Sequence, residues 1–186
     1  MGLAMKCFCL FCRAGAEEKF VKSLSFLLKR EYASFDDLSV IFPVRIVQEK
    51  RQGKWRPKVQ PVLPGYVFLY LDDDDPFPSF QARQCEGYFR VLKYPDGHIE
   101  LKGTDLQYAE WIRSNKGTLQ PSRISLDLGN RITVISGPMK DMQGKVVKLD
   151  RHKKRVIVAF EFAGEVRHVN LSVEIVSKGG SGPSKS

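Results

Sequence analysis

Apolar residues recur along this chain with two different periods, and the switch between them marks out its elements. Residues 6–13, Lys-Cys-Phe-Cys-Leu-Phe-Cys-Arg, are almost continuously apolar and predict a buried strand. Phe20, Leu24, Leu27 and Leu28 then return at helical spacing and predict a helix over about 16–31. Glu17 and Glu18 in its first turn and Lys29 and Arg30 in its last would complement the helix dipole. A strand is predicted over 39–49, where Pro43 signals an edge or a bulge, and another over 59–71, broken by Pro61 and Pro64. Gln52-Gly53 suits the tip of a hairpin between them. Asp72 to Asp75 lead through Pro76 into a short helix near 77–86, with Asp75 as the expected cap and Pro76 at the first helical position. A strand at 88–94 and a helix at 103–113 complete the pattern of an α+β sandwich over 5–113.

Residues 114–127 lose this periodicity and gain polar, turn-forming types, so they read as a semi-flexible linker. From 128 to 178 the period is two. Ile132, Val134, Val146, Leu149, Val156, Val158, Phe160, Val166, Val169, Leu171, Val173 and Ile175 fall in short alternating runs, punctuated by Gly137-Pro138, Gly144, the 150–154 segment and Gly164. Four or five short strands with tight turns predict a small all-β barrel. Residues 179–186 are rich in Gly and Ser and are expected to be disordered.

Charge sharpens this picture. The 186 residues carry a formal net charge of +9, from 30 Lys and Arg against 21 Asp and Glu, which favours a polyanionic partner. The excess is densest in the second module, where 127–178 holds 10 basic and 6 acidic residues, against 19 and 15 over 1–126. Lys140, Lys145, Lys148, Arg151, His152, Lys153, Lys154 and Arg155 lie in its turns or at polar strand positions, where a packed core has no use for them. Arg supplies planar, bidentate contacts, so Arg151 and Arg155 are expected to give specificity to nucleic-acid binding and the lysines mainly affinity. A second basic group, Lys50, Arg51, Lys54, Arg56 and Lys58, surrounds Trp55 and is suited either to upstream DNA or to extending an RNA surface; a solvated hairpin is the plain alternative.

Other chemistries find little support. There is no Gly-rich phosphate loop, nucleophile elbow or His-Glu-x-x-His pattern, and the three histidines are dispersed, so neither an enzyme nor a cofactor is expected. Cys7, Cys9, Cys12 and Cys85 resemble a crowded zinc set, but a strand puts Cys7 and Cys9 on one face and Cys12 on the other. They read as reduced core cysteines, with no metal. The Asp72 to Asp75 run is consecutive and followed by Pro, which favours a loop over a convergent cation site. No apolar run reaches the roughly 18 residues of a membrane span, and no secretory leader is evident, so a cytoplasmic monomer is expected.

Three stretches carry a family resemblance: Cys-Phe-Cys-Leu-Phe-Cys-Arg-Ala-Gly-Ala-Glu at 7–17, Leu-Pro-Gly-Tyr-Val-Phe-Leu at 63–69, and Gly-Pro-Met-Lys-Asp-Met-Gln-Gly-Lys-Val at 137–146. In this order, over nearly the whole chain, they resemble the NusG family of transcription elongation factors. The resemblance implies an NGN sandwich that binds RNA polymerase, followed by an SH3-like KOW barrel that recruits a second partner. It places the pocket for the polymerase clamp helices at Phe11, Tyr66, Phe68 and Tyr94. A second polymerase contact would fall at 75–79, where the hydroxyl-rich motif of relatives is missing. The basic residues around 148–154 depart from the housekeeping pattern and are most similar to the LoaP group, antiterminators whose KOW domain recognises a leader RNA hairpin. The alternatives are a general elongation factor whose KOW domain binds ribosomal protein S10 or Rho through Phe160 and Phe162, and a ribosome-associated KOW protein.

Overall fold

The computed structural model describes residues 5–32, 35–129 and 131–176. The tail expected to be disordered, 179–186, lies outside them.

Two antiparallel strands, β1 (Met5–Cys12) and β5 (Tyr66–Asp72), form the centre of a four-stranded sheet, flanked by β2 (Val40–Ile41) and β6 (Tyr88–Val91) in the order β2-β5-β1-β6. Both central strands are apolar on each face because each face is covered. Phe8, Leu10, Val67, Leu69 and Leu71 meet Phe20, Leu24 and Leu28 of α1 (Glu17–Leu28) and Ala82 of α2 (Ser79–Gln84). Full burial of each such side chain contributes about 2 kcal/mol. On the other face Cys7, Cys9, Phe68 and Tyr70 meet α3 (Gly103–Ser114) through Tyr108, Ala109 and Ile112. Cys12 packs with the first set and Cys7 and Cys9 with the second, so the cysteines divide between the faces as their spacing predicts.

One buried carboxylate joins two of the motif stretches. Glu17, 4% exposed, accepts the backbone N–H of Gly15 on Oε2 at 2.7 Å and that of Gly65 on Oε1 at 2.8 Å. Gly65 has φ +81°, and a Cβ there would stand 2.8 Å from the carbonyl oxygen of Cys12, so a glycine is required where the chain enters β5.

Several boundaries differ from the sequence expectation. Residues 39–49 form two strands in different sheets, because Pro43 turns the corner between β2 and β3 (Val44–Arg51). Helix α1 ends at Leu28, so Lys29 and Arg30 lie beyond its last turn. Helix α2 starts at Ser79, with Pro78 at its N-cap and no side-chain cap, so Asp75 and Pro76 do not hold the expected cap and first helical positions. Pro78 disfavours a helical conformation at Phe77, which delays the start. β3 pairs along its whole length with β4 (Lys54–Pro61), and the hairpin turns at Gln52 and Gly53, both with positive φ, as that dipeptide predicts.

The largest difference is at 114–127. Thr118–Leu119 (β7) pairs in parallel with β3, and Ser122–Leu126 (β8) enters the sheet of the second module, so the expected linker is built into both. Leu119 and Ile124 are buried, and the Ser122 hydroxyl accepts the Met139 N–H at 3.0 Å. A hydroxyl satisfied in the interior is indistinguishable from a solvent-facing one in sequence, which hid the period of two.

The second module is a half-barrel of β8, β9 (Ile132–Ser136), β10 (Lys145–Asp150), β11 (Arg155–Phe162) and β12 (Glu165–Ile175), in the order β10-β11-β12-β8-β9. A single 3-10 turn, Pro138–Asp141, links β9 to β10. It is docked on the α3 face of the first sheet. One core therefore runs from Phe68, Tyr108 and Trp111 into Met139, Phe160 and Phe162.

Candidate nucleic-acid interface and aromatic patch

Three of the four expected anchor aromatics, Phe11, Tyr66 and Phe68, come together beside the second module, and Tyr94 is tied to it through Asp105. Tyr66 and Phe68 share a face of β5, and Phe11 meets Tyr66 edge-on with ring centroids 4.7 Å apart. The tip of the β11–β12 hairpin covers them. Phe162 lies 5.6 Å from Phe68 and 6.0 Å from Tyr66, and Phe160 stacks on Tyr108 at 4.7 Å and 11°. Phe68 is fully buried, whereas Phe11, Tyr66 and Tyr94 keep part of their surface.

Polar contacts lock this cover. Asp105, 5% exposed, accepts the Ala163 N–H on Oδ1 at 2.8 Å and the Tyr94 hydroxyl on Oδ2 at 2.6 Å. Burial, and then that bond to a carboxylate, push the Tyr94 pKa well above its ordinary value. Arg167 donates to the Tyr66 hydroxyl at 3.0 Å, and the Trp111 indole donates to the Pro138 carbonyl at 2.8 Å. Asp105 went unnoticed in the sequence. Its signal was a carboxylate on the stripe that Tyr108, Ala109 and Ile112 bury, where an acid is placed only with partners.

The basic residues of the second module fall into two groups. Lys153 and Lys154 lie with Arg151 and His152 in the β10–β11 turn, which is closed by Asp150 Oδ1 accepting the Lys153 N–H at 2.9 Å. Lys148 flanks this turn on β10, beside a bulge at Val147. Lys145 and Lys140 lie toward the opposite end, about 15 Å away along the strand.

Arg155 behaves differently from its neighbours. It is half-buried and donates from Nη2 to the Gln48 carbonyl oxygen of β3 at 2.7 Å. That bond sets the β10–β11 turn beside the β3–β4 hairpin, so two basic segments about a hundred residues apart in sequence adjoin. Lys50, Arg51, Lys54, Trp55 and Arg56 are exposed, and Lys58 is half-buried. Glu49 binds Arg51 at 2.8 Å and Lys58 at 3.2 Å, which neutralises part of this hairpin's charge.

The cysteines are unsuited to thiolate chemistry. Burial raises all four pKa values, that of Cys12 to about 11, and no cluster of metal-ligating side chains occurs among the described residues. The Asp72–Asp75 segment is a turn, closed by the Asp75 N–H on the Asp72 carbonyl. No helix among the described residues is long and apolar enough to cross a membrane.

Residues 5–106 match the family model for transcription termination factor NusG, over more than half of the chain. The chain belongs to the NusG family. Residues 128–158 match the KOW motif, so the second module is a KOW domain. NusG-family proteins are transcription termination and antitermination factors, and the class is one of transcription factors, not enzymes. The transcription termination/antitermination protein NusG of Borreliella burgdorferi is 23% identical over 87% of this chain and 92% of its own. That of Thermus thermophilus is 23% identical over 88% and 93%, and that of Pseudomonas aeruginosa 22% over 95% and 99%. Among solved structures, one describing domain interaction in Thermotoga maritima NusG aligns with a TM-score of 0.52 and 18% identity, over 91% of this chain and 94% of that one. The NusG fold, an α+β N-terminal domain followed by an all-β half-barrel, therefore accounts for the chain.

Proposed function

We propose that this NusG-family protein is a specialised processive antitermination factor of the LoaP type, which engages a structured leader RNA through its KOW domain and RNA polymerase through its N-terminal domain. The observation that carries the reading is the Arg155–Gln48 bond, which joins the basic KOW turn to the basic β3–β4 hairpin on one side of the molecule. Structured RNA is gripped through phosphates and 2′-hydroxyls, and rigid turns bearing Lys and Arg suit that task.

The polymerase-binding residues are Phe11, Tyr66, Phe68 and Tyr94, and the KOW domain lies across Tyr66 and Phe68. Engagement of polymerase at this patch therefore requires the KOW domain to swing away. A polymerase tethered by nascent RNA supplies the high local concentration that favours this exchange. The general-factor reading, with a protein partner bound at Phe160 and Phe162, meets the same obstacle, since both are buried in the domain contact.

Titration of the full chain against leader RNA hairpins and a scrambled duplex, across salt concentrations, tests the RNA reading. Replacing Lys148, Arg151, Lys153 and Lys154 by Glu is expected to abolish hairpin-selective binding. Weak, equally salt-sensitive binding of wild type to every RNA would instead support the general factor.

A further inference from the structure

Between the two domains runs a groove of about 670 Å³ that neither domain forms alone. Arg45 and Gln60 line it from β3 and β4, Arg167, His168 and Asn170 from β12, and residues 61–64 close one end. Its charge is poorly compensated. Arg45 is half-buried, forms no ion pair among the described residues, and reaches only Gln60 Oε1, at a long 3.5 Å. The Nε atoms of Arg45, Arg155 and Arg167 are buried without a hydrogen-bond partner among the described residues. Burial and then the nearby Arg155 charge both lower the Arg45 pKa, so the two guanidinium groups feel each other across the seam. Among the described residues only Arg167 of the three has an acidic partner, Glu165 at 2.8 Å. Desolvating two like charges side by side is costly, and a chain retains such an arrangement readily where an anion completes it.

We propose that this seam is a phosphate-binding site, in which Arg45, with His168 and Gln60 on the groove wall and the Arg155 charge nearby, holds a backbone phosphate of the bound RNA. This rests on the reading of the KOW turn as an RNA site and adds a location and a consequence. Arg155 stands at the end of the turn and bonds to Gln48 of β3, the strand that also carries Arg45 to the groove wall. Arg is suited to this role because its planar fork grips phosphate oxygens in pairs. The site exists only while the domains are docked. Phosphate in the seam therefore favours docking by its differential affinity, and polymerase competes with seam-bound RNA but not with RNA held by the turn alone.

The test uses the full chain, an RNA hairpin bound by wild type, and inorganic pyrophosphate as a small competitor. Arg45→Gln and Arg155→Gln are each expected to weaken hairpin binding about tenfold and to reduce the salt slope by about one. Pyrophosphate should compete with the hairpin in wild type and lose that effect in Arg45→Gln. Because Arg45 is uncompensated, Arg45→Gln should melt no lower than wild type; a markedly lower melting temperature would overturn its assignment as a ligand-seeking charge. Unchanged hairpin binding in Arg45→Gln, alongside weakened binding in a Lys153→Gln, Lys154→Gln variant, would overturn the seam site and leave the turn reading intact. Unchanged binding in both variants would overturn both. Pyrophosphate binding that depends on Arg45 without any effect of Arg45 on RNA would reassign the groove to a small phosphate ligand and overturn the proposal.

Discussion

Cys9 and Asp105 show how the same burial has opposite outcomes for different side chains. A thiol loses little by leaving water as long as it stays protonated, and Cys7, Cys9, Cys12 and Cys85 all have raised pKa values for that reason. A carboxylate needs partners, and Asp105 finds the Ala163 N–H and the Tyr94 hydroxyl. For Cys12, burial first and then the Glu17 charge raise the pKa from the ordinary 9.0 to about 11. Its raised folded value contributes stability that is complete below about pH 9 and lost as pH rises toward 11. Native protein treated with iodoacetamide at pH 8 is accordingly expected to stay unmodified at all four cysteines by mass spectrometry, with labelling only after denaturation. Fast labelling of Cys12 in native protein would contradict the burial. That the cysteines are core residues was legible from strand alternation alone, whereas Asp105 was not, because its partners lie 11 and 58 residues away.

At the level of elements, local chemistry decided turns better than it decided ends. Gly53 specified the two-residue hairpin loop because its position takes positive φ, and Gln52 follows it there at φ 49°. The start of α2 depended on which of two nearby prolines governed the chain, and Pro78 prevailed over Pro76. Gly137 marks the turn that carries the KOW domain onto α3. It has φ +95°, and a Cβ there would lie 2.7 Å from Ser122 Cα, within the strand that continues from the first domain. Gly137→Ala should cost at least about 2 kcal/mol in denaturant unfolding, since both the backbone strain and the clash with a main-chain atom must be relieved. A variant with wild-type stability would show that β8 and the 138–141 turn are less tightly joined than the Ser122–Met139 bond implies.

For the molecule as a whole, the docking of the KOW domain is the deciding feature. Its hairpin tip fills a hollow of Phe68, Tyr66 and Tyr108, and Phe162 is completely buried there. Phe162→Ala removes the central ring of that contact, at about 3–5 kcal/mol for a buried Phe. The variant is expected to populate an undocked form, with a radius of gyration by small-angle scattering above the roughly 16 Å of a compact chain of this length, and to bind polymerase more tightly than wild type. A compact variant with unchanged polymerase affinity would mean that docking does not control the patch. By itself the sequence determined the two modules, the two-faced central sheet, the basic turn and the aromatic residues of β5, because these follow from short-range periodicity and local charge. Only the tertiary structure decided that 118–119 and 122–126 are strands, that the aromatic patch is covered, and that Arg45 and Arg167 line one seam. Each of these depends on surfaces of two domains matching in shape and charge, and no period within either segment records what will be laid against it.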